Sequence, residues 1–554
     1  MKRYSLNKTF HFENTTFLPI LTVILFYLFI FVSETYSQQP TQEWVKRFPV
    51  NSPAPTQGRS IRVDSLGYIY VLADTGNSFG FIKYDSNGNL LYSTSYWPGG
   101  YEYGFGEYFD VSKNGDVCVT GSVYLSPNVF IYTAKYNSSG VLQWSKVFRT
   151  DIYNLVFDIK IDKLGNVNIV GSAVIGAQGY ALLIHYNQFG DTSWVKYFNN
   201  NQNAASYRKV TIDNVNNIYV EGSISNIGKC LISKYDINGN QHWFNTFTYD
   251  ASRSNLGRGI SVDLLGNIYI IGTQAKPQSQ YDAYLLKLNN TGQIQWDYPY
   301  PGYGTGNNSL WGPAITKDGN SIYYTASVHD TVGIGYNIAT IKINAQGTLQ
   351  WAKVYNGGIS NGLNLPADIK LDKFDNVYVA GTGYYQITGN DYLVLKYNPS
   401  GNLIWTVNYE GIVTNGADAI SEILIDSNTN FVVTGNSRKT QNSYSDAVTI
   451  KYNQPIGIST NQHQIPDGNE LNQNFPNPFN PKTKIRFSVS KNSVVQLKIF
   501  DVLGRINEIL VNEKLVPSEY EVTFDGPNYS SGVYFYQLSS DNQIIDTKKL
   551  VIIK

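Results

Sequence analysis

Short alternating runs of apolar and polar residues follow one another along most of the chain and recur in groups of four. One group consists of "FDIKID" (157–162), "VNIVGSA" (167–173), "ALLIHYN" (181–187) and "TSWVKYF" (192–198). Period-two alternation sends successive side chains to opposite faces of a strand. "KLGN" joins the first two runs and "QFGD" the last two. Glycine after two or three polar residues supplies the positive φ of a tight hairpin. The pattern predicts small antiparallel sheets of four strands.

The group returns about every 50 residues. Its first half reads "VDSLGYIYVLA" (63–73), "VSKNGDVCVTG" (111–121), "IDKLGNVNIVG" (161–171) and "IDNVNNIYVEG" (212–222). It continues as "VDLLGNIYIIG" (262–272), a degraded "TKDGNSIYYTA" (316–326), "LDKFDNVYVAG" (371–381) and "IDSNTNFVVTG" (425–435), eight copies in all. The second half is as regular, from "FIKYDSNGNLLYSTSY" (81–96) to "VLKYNPSGNLIWTVNY" (394–409). Four-stranded sheets at this period are blades of a β-propeller. The eighth copy stops at "TIKYNQ" (449–454), but "TQEWVKRF" (41–48) matches "DTSWVKYF" (191–198). An N-terminal strand is therefore expected to complete the last of eight blades and remove an open sheet edge.

Three residue types recur with the blades. Trp44, Trp144, Trp194, Trp243, Trp296, Trp351 and Trp405, with Tyr92 in the first blade, hold one fixed strand position, as expected of aromatics packed between blades. Asp64, Asp162, Asp213, Asp263, Asp372 and Asp426 end the first strand. Lys83, Lys135, Lys234, Lys287, Lys342, Lys396 and Lys451 sit beside the other tight turn, and pairing with these aspartates within each blade is expected. The array resembles the bacterial β-propeller repeat family with D-x-x-G-N-x-Y-V-x-G units, often described as seven-bladed. That resemblance implies architecture and no activity.

Tight turns fall on one face of such a ring and the longer loops on the other. The long loops hold Trp97, Tyr101, Tyr103, Tyr303, Trp311, Tyr384 and Tyr385. Tyr and Trp among Gly and Asn suit adaptable recognition, which makes these the candidate ligand-binding residues.

Composition narrows the function classes. Lys+Arg and Asp+Glu are equal at 42 each, so the basic excess expected of a nucleic-acid partner is missing. Cys118 and Cys230 fall two repeats apart, and no disulfide is expected. The histidines form no H-E-x-x-H pattern, and no nucleophile elbow, phosphate-binding loop or paired-cysteine zinc site occurs. No catalytic residue, metal or cofactor is predicted. "DSNGN" (85–89) and "DINGN" (236–240) lack the glycine and glutamate spacing of a calcium loop and read as turns. "KYNSSGVLQW" is similar to the tryptophan-docking repeats of eight-bladed quinoprotein dehydrogenases, but the adjacent cysteines that resemblance implies are absent.

The two ends carry targeting signals. Lys2, Arg3 and Lys8 precede an uncharged apolar run from Phe17 to Val32, followed by Thr35 and Ser37. This reads as a secretory signal peptide over 1–37, which leaves no membrane span after cleavage. Residues 38–454 then form the propeller and 455–470 a polar linker. Alternation resumes with Ile485, Phe487 and Val489 on one face and Val495, Leu497 and Ile499 on another, which predicts a small β-sandwich.

Residues 471–554 resemble the type A C-terminal sorting domain of the type IX secretion system. The resemblance rests on "NFPNPFNPKTKIRF" (474–487), "VQLKIFDVLGR" (495–505), "YEVTFDG" (520–526), "SSGVYFYQL" (530–538) and "TKKLVIIK" (547–554). Its motif positions are Pro476, Asn477, Pro478, Phe479, Pro481, Gly504, Arg505, Gly532, Lys548 and Lys549. It implies a translocon in the outer membrane of a Gram-negative bacterium, a sorting peptidase as partners, and a cargo released or attached at the surface. The expected fold is all-β, an eight-bladed propeller followed by a sandwich. The expected function is binding of a surface glycan or protein. An extracellular enzyme with its site in the funnel and a purely structural or adhesive component are the alternatives.

Overall fold

The computed structural model describes residues 39–48, 57–73, 78–200, 203–248, 255–275, 281–300, 309–316, 319–329, 335–357, 362–413, 416–438, 445–454, 459–461, 466, 468–515, 517–526 and 529–553. The signal segment expected at 1–37 and Tyr303 lie outside these residues. Contacts divide the described residues into two compact units, one of 39–454 and one of 459–553.

The larger unit is the eight-bladed propeller. Its blades span 58–93, 103–148, 153–198, 205–247, 255–300, 309–355, 365–409 and 419–453. Seven blades are four-stranded antiparallel sheets in sequence order. In the eighth, Thr41–Phe48 pairs with Ser445–Asn453 as the fourth strand, so the N-terminal strand closes the ring. Eight separate apolar clusters lie at the eight blade interfaces. The closing cluster joins Trp44, Val432 and Ala447 of the last blade to Ile61, Val71 and Ile82 of the first.

Middle strands depart from simple alternation. Ile69–Ala73 and Ile218–Ile224 are buried at every position, because both faces of a middle strand pack against neighbouring blades. Such strands read as continuous apolar runs rather than as alternating ones. The outer strands Leu142–Phe148 and Thr192–Phe198 instead are half-buried or exposed at every position.

The recurring aromatic locks adjacent blades. Indole N–H groups of Trp44, Trp144, Trp194, Trp243, Trp296 and Trp351 donate to a turn carbonyl of the next blade at 2.9–3.3 Å. Each ring also covers a turn glycine there. A Cβ at Gly88, Gly190, Gly239, Gly292, Gly347 or Gly401 would lie 2.6–2.8 Å from an indole atom. Trp405 instead stacks on Phe431, at 5.5 Å and 18°, since its partner blade ends without that turn.

The expected pairing of recurring Asp with recurring Lys is corrected. Asp162 Oδ1 accepts the N–H groups of Leu164 and Asn166, and its Oδ2 accepts the Asn166 amide. Asp213, Asp263, Asp372 and Asp426 cap their own turns in the same way. The lysines reach across to the next blade. Lys83 donates to the Ser138 carbonyl, Lys287 to Ala345, Lys342 to Pro399 and Lys451 to Ser86, at 2.8–3.1 Å. Among the described residues, Asp372 and Lys396 are the one recurring Asp and recurring Lys that approach as an ion pair, at 3.6 Å. A carboxylate already saturated by its own turn gains little from a further cation, whereas a buried ammonium needs an acceptor.

The smaller unit is a sandwich of two four-stranded sheets. Its core holds the expected Ile485, Phe487, Val489, Val495, Leu497 and Ile499, with Phe524, Tyr536 and Leu550. Part of the segment expected as linker belongs to it, because Ser459–Asn461 pairs with Ser518–Asp525. Among the described residues no helix is long and apolar enough to cross a membrane.

Candidate functional site

The innermost strand of every blade carries a β-bulge at one level. Register breaks fall at Arg59, Glu107, Phe157, Arg208 and Arg258, then at Gly312 with Pro313, Ala367 and Ser421. A bulge aims two consecutive side chains to one side, here toward the ring axis. Bulge residues or their successors from the first four and the last two blades line a channel cavity of about 460 Å³. Its wall includes Arg59, Ser60, Arg62, Glu107, Asp158, Lys209, Asp368 and Glu422.

Most of these charges are engaged across blade interfaces. Arg62 lies 2.8 Å from Glu422 and 3.3 Å from Asp110. Asp110 also meets Lys160 of the third blade at 3.5 Å, while Asp368 meets Lys370 of its own strand at 2.7 Å. Four carboxylates accept a backbone N–H from the next blade. Asp110 takes that of Ile161, Asp158 that of Val210, Asp368 that of Ile423 and Glu422 that of Ile61, at 2.9–3.2 Å. Ser60 donates to Glu422 as well. Acids thus stitch the inner strands together while presenting a polar wall.

Protonation follows from these contacts. Burial pushes Glu422 up, but Arg62 and Lys370 overrule it and hold its pKa low. Asp158 raises the Lys209 pKa against the opposing effect of burial. Burial raises Glu107, which Ser122 and Arg59 only partly offset. Glu221 stands on the second strand of the fourth blade, fully buried. Neither carboxyl oxygen has a hydrogen-bond partner. Burial pushes its pKa from 4.5 to about 8, against Lys209, Arg208 and Arg258. Gly257 makes room for this group, since a Cβ there would fall on the carboxyl.

The aromatic loop residues sit apart from this wall. Trp97 and Tyr101 pack on the cluster between the first two blades. The Tyr101 hydroxyl accepts a bond from Arg149 at 2.8 Å. Tyr103 is exposed and stacks on Tyr124 at 4.3 Å. Trp311 is the third residue of the inner strand of the sixth blade, in register with Thr325. Tyr384 and Tyr385 end the second strand of the seventh blade, Tyr384 exposed and Tyr385 half-buried. Trp97 and Tyr101 thus share the cluster between the first two blades, Tyr103 pairs with Tyr124 on the second blade, and Tyr384 and Tyr385 lie on the seventh.

Sequence reasoning missed the bulge layer. Its signal was present as charged residues inside the first strand of several repeats, in "RSIRVD", "RKVTID", "RGISVD" and "SEILID". Among the described residues no cluster of His, Cys, Asp or Glu has a metal-binding arrangement. Cys118 and Cys230 are buried and unpaired.

In the sandwich, the proline-rich segment is tied to the last strand. Asn477 donates to the Lys549 carbonyl at 3.1 Å and accepts from Val551 N–H at 2.8 Å. Phe479 is buried and exchanges backbone bonds with Val551 and Ile553. Pro476 and Pro481 are exposed, flanking the buried side chains of Asn474 and Phe479. Asp501 caps the Gly504 turn and holds Arg505 at 2.7 Å. Lys548 lies 3.0 Å from Asp546, and Gly532 opens the strand that pairs with the last one.

Comparison with solved structures finds propeller-sized likenesses at low identity. Sqt1 from Chaetomium thermophilum aligns at 9% identity over 74% of this chain and 99% of that one, with TM-score 0.44. Polysaccharide lyase Uly1 aligns at 12% over 63% and 90%, with TM-score 0.41. The β-propeller domain of the Trilobed protease from Pyrococcus furiosus aligns at 8% over 64% and 96%, with TM-score 0.37. No curated protein matches the chain. The profile of the secretion system C-terminal sorting domain matches residues 473–554. With the proline-rich segment, the Gly504 turn and the final strand in that family's order, residues 473–554 belong to the C-terminal sorting domains of type IX secretion, which mark the chain for export.

Proposed function

We propose that the exported propeller is a glycan-binding module whose recognition surface is the charged channel. The carrying observation is the bonding of Asp110, Asp158, Asp368 and Glu422 to backbone N–H groups of adjacent blades. Carboxylates held this way form a rigid array of acceptors and give up their freedom to shuttle protons. Charged, hydroxyl and amide groups dominate the cavity, with Tyr108 and Phe109 as its aromatic members. A heavily hydroxylated ligand suits that wall better than an apolar one does. The aromatic loops at 97–103 and 384–385 supply outer contacts on this reading. The sorting domain supports release from, or attachment to, the surface of a Gram-negative cell after cleavage by the sorting peptidase. The test is a glycan array probed with the mature chain and with a Lys209→Ala, Asp158→Ala variant. Saturable binding to a glycan class, lost in the variant, is the expected result. Cleavage of polysaccharide in place of retention would overturn the reading in favour of an enzyme.

A further inference from the structure

Positive charge is unevenly distributed around the channel. Arg62, Lys160 and Lys370 each face a carboxylate within 2.7–3.5 Å. The fourth and fifth blades instead place Arg208, Lys209 and Arg258 on adjoining inner strands. Arg208 and Arg258 hold the bulge position. Its counterparts Arg59, Glu107, Ala367 and Ser421 all line the cavity. The Arg208 guanidinium lies over the Phe157 ring at 5.3 Å, with a buried Nε that has no hydrogen-bond partner. Arg258 is exposed. Asp158 faces Lys209 and is also committed to the Val210 N–H.

Glu221 acts electrostatically on all three cations, but it does not serve as their hydrogen-bonded counter-ion. No guanidinium or ammonium donor reaches either of its oxygens. A paired carboxylate beside two arginines would accept their N–H groups, commonly in bidentate fashion. Its burial favours the neutral acid near pH 7. Among the described residues the arc therefore keeps two guanidinium groups without a partner carboxylate in hydrogen-bond contact, Arg208 against the Phe157 ring, on the two inner strands beside Lys209, which lines the polar cavity. Guanidinium donors in that setting suit a planar carboxylate or a sulfate.

We infer that Arg208, Arg258 and Lys209 form an anion-binding subsite in the channel, which takes a carboxylate or sulfate group of an acidic glycan. The inference rests on the glycan-binding reading for the source of the anion, but the subsite stands on its own geometry. The experiment is calorimetric titration of the mature chain with sodium glucuronate, sodium sulfate and glucose as the uncharged counterpart. Glucuronate or sulfate binds saturably, glucose does not, and added sodium chloride weakens the binding. Arg258→Gln weakens it about tenfold, the order expected for one charge-assisted contact, and Arg208→Gln with Arg258→Gln removes it. Arg258 is exposed, so its single variant keeps the fold and remains informative if the double variant does not. Affinity falls from pH 7 to pH 9 as Glu221 ionises beside the arc, and Glu221→Gln flattens that profile. Failure of both anions to bind, or equal affinity in Arg258→Gln, overturns the subsite. Neutral glycans binding independently of Arg258 would sink the subsite and leave the glycan reading intact. Anion binding without any polysaccharide binding would keep the subsite and remove the glycan as its source.

Discussion

Glu221 yields the sharpest test of the physical picture. Its carboxyl is fully buried on the second strand of the fourth blade and lacks a hydrogen-bond partner. Lys209, Arg208, Arg258 and Asp158 are the charged groups that act on it. Burial raises its pKa from 4.5 to about 8. Between these values the unfolded chain is ionised while the folded chain keeps its proton, so the folded state binds more protons. Stability must then fall as pH rises through that window, and level off above it. At about 1.4 kcal/mol per pH unit, the loss approaches roughly 5 kcal/mol by pH 8. Glutamine keeps the shape of the neutral acid and removes the titration. Melting of Glu221→Gln and the parent chain, followed by circular dichroism, should nearly coincide at pH 4.5. The gap should widen in the variant's favour up to pH 8. Glu221→Thr is a second variant, because Thr120 and Thr325 occupy this position in other blades and donate to a third-strand carbonyl at 3.1 and 2.8 Å. It should share the pH-independent profile. A constant gap across the range refutes the reasoning. A glutamine variant less stable at every pH would mean that the cations hold Glu221 ionised, and that the arc has its counter-ion.

Three further outcomes follow from the ring and the tail. Gly190→Ala drives a Cβ to 2.7 Å from the Trp144 ring at a φ of 89°; it should cost roughly 1–3 kcal/mol by denaturant titration, and an unchanged midpoint would contradict the docking role of Trp144. Removal of 39–48 takes away the strand that pairs with Ser445–Asn453 and the Trp44 contacts of the closing cluster, so the propeller melt should broaden and shift down, whereas an identical melt would refute closure by this strand. Deletion of 471–554 should leave the propeller inside the cell envelope by immunoblot of fractions, and its arrival in the medium at normal yield would show that the matched domain is not the export signal.

The architecture was legible because repetition averages away local ambiguity. A single "VNIVGSA" does not distinguish a strand buried on both faces from part of a helix, but eight copies at one period do. The ring closure was legible for the same reason, since "TQEWVKRF" supplies the one strand the eighth copy lacks. The pairing of Asp with Lys went wrong because period and charge say nothing about competing partners. Asp162 finds three donors within its own turn before any lysine can reach it. The channel was illegible for a deeper reason. Repeat comparison highlights what is constant among blades, and a binding wall is made of what varies. At the bulge position the blades carry Arg59, Glu107, Phe157, Arg208, Arg258, Gly312 with Pro313, Ala367 and Ser421. The backbone feature is repeated in every blade, while the side chains it aims at the axis follow no repeat. A structural requirement would have given the same residue type in each blade, as it did for the docking tryptophans and the turn aspartates. Conserved geometry with unconstrained chemistry is the arrangement expected where a scaffold presents a site, and the uneven charge on the fourth and fifth blades is its most specific expression.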